Sequence, residues 1–247
     1  MQMMKSSIKT QGRTYLLCFF ISLIGIACRM AYCVRYPVQP RDAYTYEQLI
    51  RNWEKTGLLS DAFVGIPFSL WILKAPYHFF RFDISKSGIA INCLLGILII
   101  IISIIIADEL FKNTYISFLS GLVFATHPIL VRFSCSFLRE NLYLFFTMMS
   151  ILTAVKYYKS VGIKYLLWSS AFASLSFLCR LEGVELLPVL SLFFLVMKKK
   201  ISLKRCICHY CLYLLVFSLI SVCFILYFHS NSFSYRGIRS KLDLAVF

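Results

Sequence analysis

Charge is what this chain has least of. Asp, Glu, Lys and Arg make up 15% of its 247 residues, against 60% hydrophobic residues. That scarcity excludes a water-soluble core, because so few polar side chains cannot cover so much apolar surface. Acidic residues are the scarcer half: eleven against 26 basic ones, a net charge of +15. A cleavable secretory signal is missing too. Lys5, Lys9 and Arg13 make a basic start, but the apolar stretch behind them is too long and holds Arg29, so it reads as a retained first helix. No internal repeat stands out, and no low-complexity tract beyond Lys198–Lys200. The ten cysteines do not form a disulfide framework. Most lie inside apolar runs, where Cys behaves as a small hydrophobe, and Cys135 is the clearest loop cysteine. Cys206, Cys208, His209 and Cys211 crowd together but match no standard zinc spacing.

What is present is hydrophobicity in blocks. A spanning helix needs about 20 apolar residues to cross about 30 Å of hydrocarbon. Tyr15–Val34, Ile89–Ala107 and Cys206–Phe228 meet that length. Ile116–Leu130, Leu142–Val155, Tyr165–Cys179 and Val184–Met197 are shorter versions of the same pattern. The expected fold is all-α: a polytopic transmembrane bundle of about seven spans, forming a single integral membrane domain over residues 1–247. With the N-terminus in the cytoplasm, the inner segments carry twelve basic residues against Asp108 and Glu109. The outer segments carry thirteen basic and nine acidic residues. That asymmetry is the positive-inside pattern. The basic excess then reports topology and contact with anionic lipid, and no nucleic-acid partner is expected.

The long segment Arg35–Lys86 follows the first span and holds five of the eleven acidic residues, Asp42 among them. Pro37 and Pro40 stop any continuation of the first helix. Tyr46, Leu49, Ile50 and Trp53 then fall at i, i+3, i+4 and i+7, which predicts an amphipathic helix over Ala43–Lys55 with Gly57 ending it. Such a helix would lie along the membrane surface. Ile66–Phe82 is apolar but broken by Lys74, Pro76 and His78, and reads as interfacial or re-entrant. Two of the short blocks end in charge, at Arg132–Glu140 and at Arg180-Leu181-Glu182-Gly183. Charge at that depth is costly unless it faces water or a partner, so the tips predict a polar cavity beneath the Asp42 loop.

Three motifs together resemble the polytopic GT-C glycosyltransferases that use polyprenyl-phosphate sugars, such as protein O-mannosyltransferases and aminoarabinose transferases. They are Arg41-Asp42-Ala43-Tyr44 ahead of the amphipathic helix, His127-Pro128 followed by Ser134-x-Ser136-x-x-Arg139-Glu140-Asn141-Leu142, and Cys179-Arg180-Leu181-Glu182-Gly183. Order and spacing agree with the family over roughly residues 12–230. The loop motif has Ala43 where many members carry a second acidic residue, and the tip has Cys179 and Leu181 where Thr and Pro are common. Members generally have more spans, so the expectation is the N-terminal part of such an enzyme, from a truncated or split gene.

The resemblance implies sugar transfer from a polyprenyl-phosphate donor to a lipid, glycan or protein hydroxyl on the outer face of a membrane. The bacterial inner membrane is favoured over the endoplasmic reticulum. It also implies Asp42 as catalytic base, with Arg41, Tyr44, Arg139, Glu140, Arg180 and Glu182 at the substrates. Each residue has a plainer alternative. Asp42 is placed to cap a helix. Glu140 suits the first turn of a helix, or it positions the acceptor, or it joins Asp42 around a divalent cation; the cofactor is otherwise open. Arg180 either meets the lipid phosphate or pairs with Glu182 or Glu185. Arg132 and Lys74 are lesser cation candidates, and Lys74 is expected to snorkel. His127 reads as a backbone-satisfied histidine ahead of a metal ligand. Tyr46 reads as interfacial packing. The competing functional readings are a non-catalytic or truncated protein that binds lipid phosphate, and a transporter-like bundle.

Overall fold

The computed structural model describes residues 2–56, 66–75, 77, 83–197 and 202–243, and among them there is no strand. Helices α1 (Gln2–Arg35), α2 (Arg41–Thr56), α3 (Ile66–Leu73) and α4 (Ile84–Phe111) come first. They are followed by α5 (Thr114–Thr126), α6 (Pro128–Ser134), α7 (Glu140–Ser160) and α8 (Ile163–Cys179). A 3-10 turn at Leu181–Glu185 leads into α9 (Leu186–Met197) and α10 (Leu203–Asp243). Gly57, Pro76, His78 and Lys198–Lys200 lie outside the described residues.

Among the described residues, three helices are long and apolar enough to cross a membrane: Leu16–Arg35 of α1, all of α4, and Leu203–Tyr227 of α10. Helices α5 and α6 make a fourth if counted as one span bent by 58°. The bend has a local cause. Pro128 lacks an N–H and bars its predecessor from helical geometry, so His127 takes φ −60°, ψ 121° and is left exposed. Helix α7 outruns its apolar block: its 21 residues reach about 31 Å, with charged residues at both ends. Helix α8 is apolar but has 17 residues, and α9 has 12.

Polar side chains set the helix boundaries. Asp83 caps α4, its Oδ1 accepting from the backbone of Ser85 at 3.0 Å and Lys86 at 3.3 Å. Asn113 does the same for α5, accepting from Tyr115 at 2.9 Å. Between them Lys112 takes a left-handed φ of 51°, which turns the chain from α4 into α5.

Packing runs sideways through the bundle: α1 against α4 and α5, α4 against α7, α7 against α8, and α8 against α10. Helix α2 packs against α4. Its Ala43, Tyr46 and Ile50 are buried in a cluster with Phe68, Leu70, Leu73, Phe137, Leu138 and Leu142, and Leu49 and Trp53 pack at the margin. The apolar stripe read from the sequence is therefore a protein contact. Lys74 does not snorkel. It is 8% exposed, pairs with Glu54 at 3.0 Å, and its ammonium rests 3.5 Å from the centre of the Trp53 ring.

Candidate active site at the hairpin tips

The turn between α6 and α7 is held from below by two asparagines. Asn92 on α4 donates from Nδ2 to the carbonyls of Ser136 and Leu138, both at 2.7 Å. Asn141 donates back to the Asn92 carbonyl at 2.9 Å and to Ser134 Oγ at 3.0 Å. From above, Gln39 clasps the same turn: its Nε2 donates to the Cys135 carbonyl at 3.3 Å and its Oε1 accepts from the Phe137 N–H at 3.0 Å. These bonds engage backbone groups of a buried turn. They also fix where Arg139 and Glu140 emerge.

Those two residues meet the tip of the next hairpin. Arg180 Nη1 donates to Glu140 Oε1 at 2.6 Å. Its Nη2 and Nε donate to Glu182 at 2.6 and 3.2 Å. Arg139 Nη1 reaches the Cys179 carbonyl at 3.4 Å. The guanidinium of Arg139 lies 5.9 Å from the Tyr46 ring centre, and that of Arg180 lies 6.0 Å from Tyr143. Tyr46 is the meeting point. Burial raises its pKa, and its phenol lies within electrostatic reach of Arg139, Glu140, Asp42 and Arg180. The hydrogen bonds from Arg180 hold the Glu182 carboxyl down, to about 2, and Glu182 in turn raises the Arg180 guanidinium.

The structure thus gathers Arg139, Glu140, Arg180 and Glu182 into one network and adds Tyr46. The fork of Arg180 is taken up by two carboxylates, which is the tip-neutralising arrangement. Arg139 is different: its Nε is buried without an acceptor among the described residues, and so is Glu140 Oε2 without a donor. Asp42 is exposed in the first turn of α2, which begins at Arg41. It is not the capping residue: the Ala43 N–H goes to the Pro40 carbonyl at 3.0 Å, and Asp42 makes no hydrogen bond among the described residues. Arg41 and Tyr44 are exposed and touch no member of the network among the described contacts. Arg132 is exposed. Cys206, Cys208, His209 and Cys211 do not converge, and His209 Nδ1 bonds the Tyr157 hydroxyl at 2.5 Å.

Sequence reasoning passed over Asn92 and Gln39, and quoted Asn141 in a motif without giving it a role. Asn92 and Gln39 are lone amides within an apolar and a Pro-rich run, and that is the one signal that could have marked them.

A membrane-spanning helical protein with a guanidinium–carboxylate network at one end is defined to this point. The family model for dolichyl-phosphate-mannose-protein mannosyltransferases matches residues 65–226, and the chain belongs to that glycosyltransferase family. The match takes in Arg139, Glu140, Arg180 and Glu182 and begins after Arg41, Asp42 and Tyr44. No curated protein and no solved structure matches the chain.

Proposed function

We propose that this membrane glycosyltransferase moves a sugar from a polyprenyl-phosphate donor to a hydroxyl on a lipid, glycan or protein. The observation that carries the reading is the network under α2, where buried Arg139 Nε and Glu140 Oε2 lack partners, in a chain of this family. Unpaired buried polar atoms are costly and mark a place where a polar ligand completes the bonding.

In the proposed reaction Asp42 takes the proton of the acceptor hydroxyl as its oxygen bonds to the anomeric carbon. The bond from that carbon to the phosphate oxygen breaks, and the lipid phosphate leaves with the electron pair. Arg139 meets the developing charge first, since the donors of Arg180 are already engaged; a phosphate could displace Glu182, the more exposed of the two partners of Arg180, to enlist it as well. Glu140 keeps Arg180 in position, and Arg41 and Tyr44, exposed beside Asp42, line the approach of the acceptor.

The membrane arrangement belongs to the same proposal. Helices α7, α8 and α9 join the long spans to make about seven crossings. The N-terminus is cytoplasmic and α2 lies along the outer surface. A bacterial inner membrane is the favoured setting.

The test is transfer in reconstituted liposomes with a panel of radiolabelled polyprenyl-phosphate sugars and crude membrane acceptors. Wild type should transfer, and Asp42→Asn should lose about 100-fold or more. Full activity in folded Asp42→Asn would reject Asp42 as the base. No transfer from any donor by folded wild type would reject the enzymatic reading and favour a protein that binds lipid phosphate.

A further inference from the structure

Three thiols far apart in the sequence meet on the far side of the α6–α7 turn. The Sγ atoms of Cys33 on α1, Cys93 on α4 and Cys135 just after α6 all lie within 4.8 Å of one another. Three thiolates bound to one Zn2+ at about 2.3 Å would stand about 4 Å apart. Small side-chain rotations close that gap. Cys135 is buried and the other two are half-buried. The backbone already steers two of them: Cys93 Sγ donates to the Ser134 carbonyl at 3.2 Å, and Cys135 Sγ to the Arg29 carbonyl at 3.3 Å.

Arg29 supplies the second observation. It is 3% exposed and lies within the Leu16–Arg35 span. Its Nη1 donates to the carbonyls of Gly25 at 3.0 Å and Ala125 at 3.4 Å, and its Nη2 to Gly96 at 3.4 Å. Its Nε has no acceptor, and no carboxylate pairs with it among the described residues. Gly96 makes room for it, since a Cβ there would stand 2.7 Å from Nε. An open, mostly apolar cleft of about 240 Å³ between α1 and α4 is lined by Ile26, Leu94 and Ile97 beside Arg29, Cys33 and Cys93. A buried guanidinium without an anion is strongly disfavoured in an apolar setting. Neutral thiols do not provide the anion.

We propose that Cys33, Cys93 and Cys135 form a three-thiolate site for a thiophilic divalent cation, Zn2+, with Arg29 as its counterion. Binding exchanges three S–H protons for one ion: Zn2+ plus three thiols and one water gives a four-coordinate trithiolate–aqua complex of charge −1 and three protons released to solvent. Beside the cation of Arg29 the total is zero, the state a low-dielectric site favours. A monovalent ion in the same triangle would leave one negative charge uncompensated. The ion would clamp α1 and α4 to the turn that presents Arg139 and Glu140. This clamp does not depend on which sugar is transferred, or on whether transfer occurs.

The experiment uses the full chain in nanodiscs, stripped with chelator, reduced and reloaded with Zn2+ or Co2+. Wild type should hold about one zinc per chain. It should also develop a thiolate-to-cobalt charge-transfer band and protect three thiols from maleimide. Cys93→Ser and Cys135→Ser should lose zinc and band, while Cys223→Ser, at an exposed site on α10, keeps both. Arg29→Gln should weaken zinc binding by more than about tenfold. The wild-type cobalt spectrum needs no variant to fold, and its absence after reloading would overturn the site. Equal zinc in wild type and in the triple serine variant would do the same, and undiminished affinity in Arg29→Gln would overturn the counterion.

Discussion

Helices α1, α4 and α5 meet mainly through aliphatic side chains and glycine, whereas α7, α8 and α10 add serine hydroxyl bonds to their apolar contacts. In the first group Ile21, Ile100, Ile104 and Ala125 form an apolar cluster. Gly121 lets the helices close, since a Cβ there would stand 2.6 Å from Ile104 Cγ1. In the second group Ser150 and Ser169 exchange hydrogen bonds to each other's carbonyls at 2.9 and 3.0 Å. Ser170 and Ser174 donate to the Tyr213 and Phe217 carbonyls at 2.6 and 2.9 Å. Lipid gives helices no hydrophobic reason to associate, so close fit and hydrogen bonds are the two available means. The first half relies mainly on shape, with Ser120 Oγ donating to the Ser103 carbonyl at 3.3 Å and Arg29 bonding across it, whereas the second half adds repeated serine bonds to its apolar contacts. The network of Arg139, Glu140 and Arg180 belongs to the second half, where register is fixed by bonds with defined angles.

The sharpest way to break this division is at its seam. Asn92→Leu removes two hydrogen bonds and leaves the Leu138 carbonyl buried without its side-chain donor, while the Ser136 carbonyl keeps the Leu138 N–H at 2.9 Å, a loss of about 3 kcal/mol. Reversible unfolding in mixed micelles should show it, together with loss of transfer. Gly121→Leu tests the shape-packed half. It forces a side chain against Ile104 and should cost about 3 kcal/mol by the same assay. In the hydroxyl-bonded half, Ser150→Ala and Ser174→Ala should each cost only about 0.6 kcal/mol. A Ser150/Ser169 double-mutant cycle should recover a coupling of about that size. Were the serines to cost more than Gly121→Leu, the contrast would be reversed.

The smallest effect concerns pH. The carboxyl of Glu182 is held to about 2 by Arg180. Its contribution is therefore fully present above the ordinary carboxylate range and fades as pH falls toward 2. The pair is half-exposed, so solvent screens it and the stability change should be slight. Infrared difference spectra against Glu182→Gln should place the carboxyl titration below pH 3; titration in the ordinary range would mean that the pair does not form.

The sequence was readable where chemistry is local. The i, i+3, i+4, i+7 stripe from Tyr46 to Trp53 became the buried face of α2, and the Arg180–Gly183 tip became a charged turn. The block Leu142–Val155 understated its helix because α7 begins with Glu140 and ends with Lys159 and Ser160, polar residues that hydropathy discards. Tertiary pairing left no trace in the pattern. Nothing near Tyr46 foretells Arg139 above its ring. Cys33, Cys93 and Cys135 share no spacing, because three different elements bring them together. The placement of Asp42 in the first turn, with the cap passed back to Pro40, turned on a boundary shift too small for propensity to resolve.

Helix α8 has one more consequence. At 1.5 Å per residue its 17 residues reach about 26 Å, less than the hydrocarbon of an average bilayer. In the proposed arrangement, where α8 crosses, the membrane around it must thin locally, at a cost that grows with every ångström of mismatch. The proposed topology therefore carries a thickness preference: among membranes of one cell the protein would collect in the thinner ones, and in a uniform membrane it would draw shorter-chain lipids around α8.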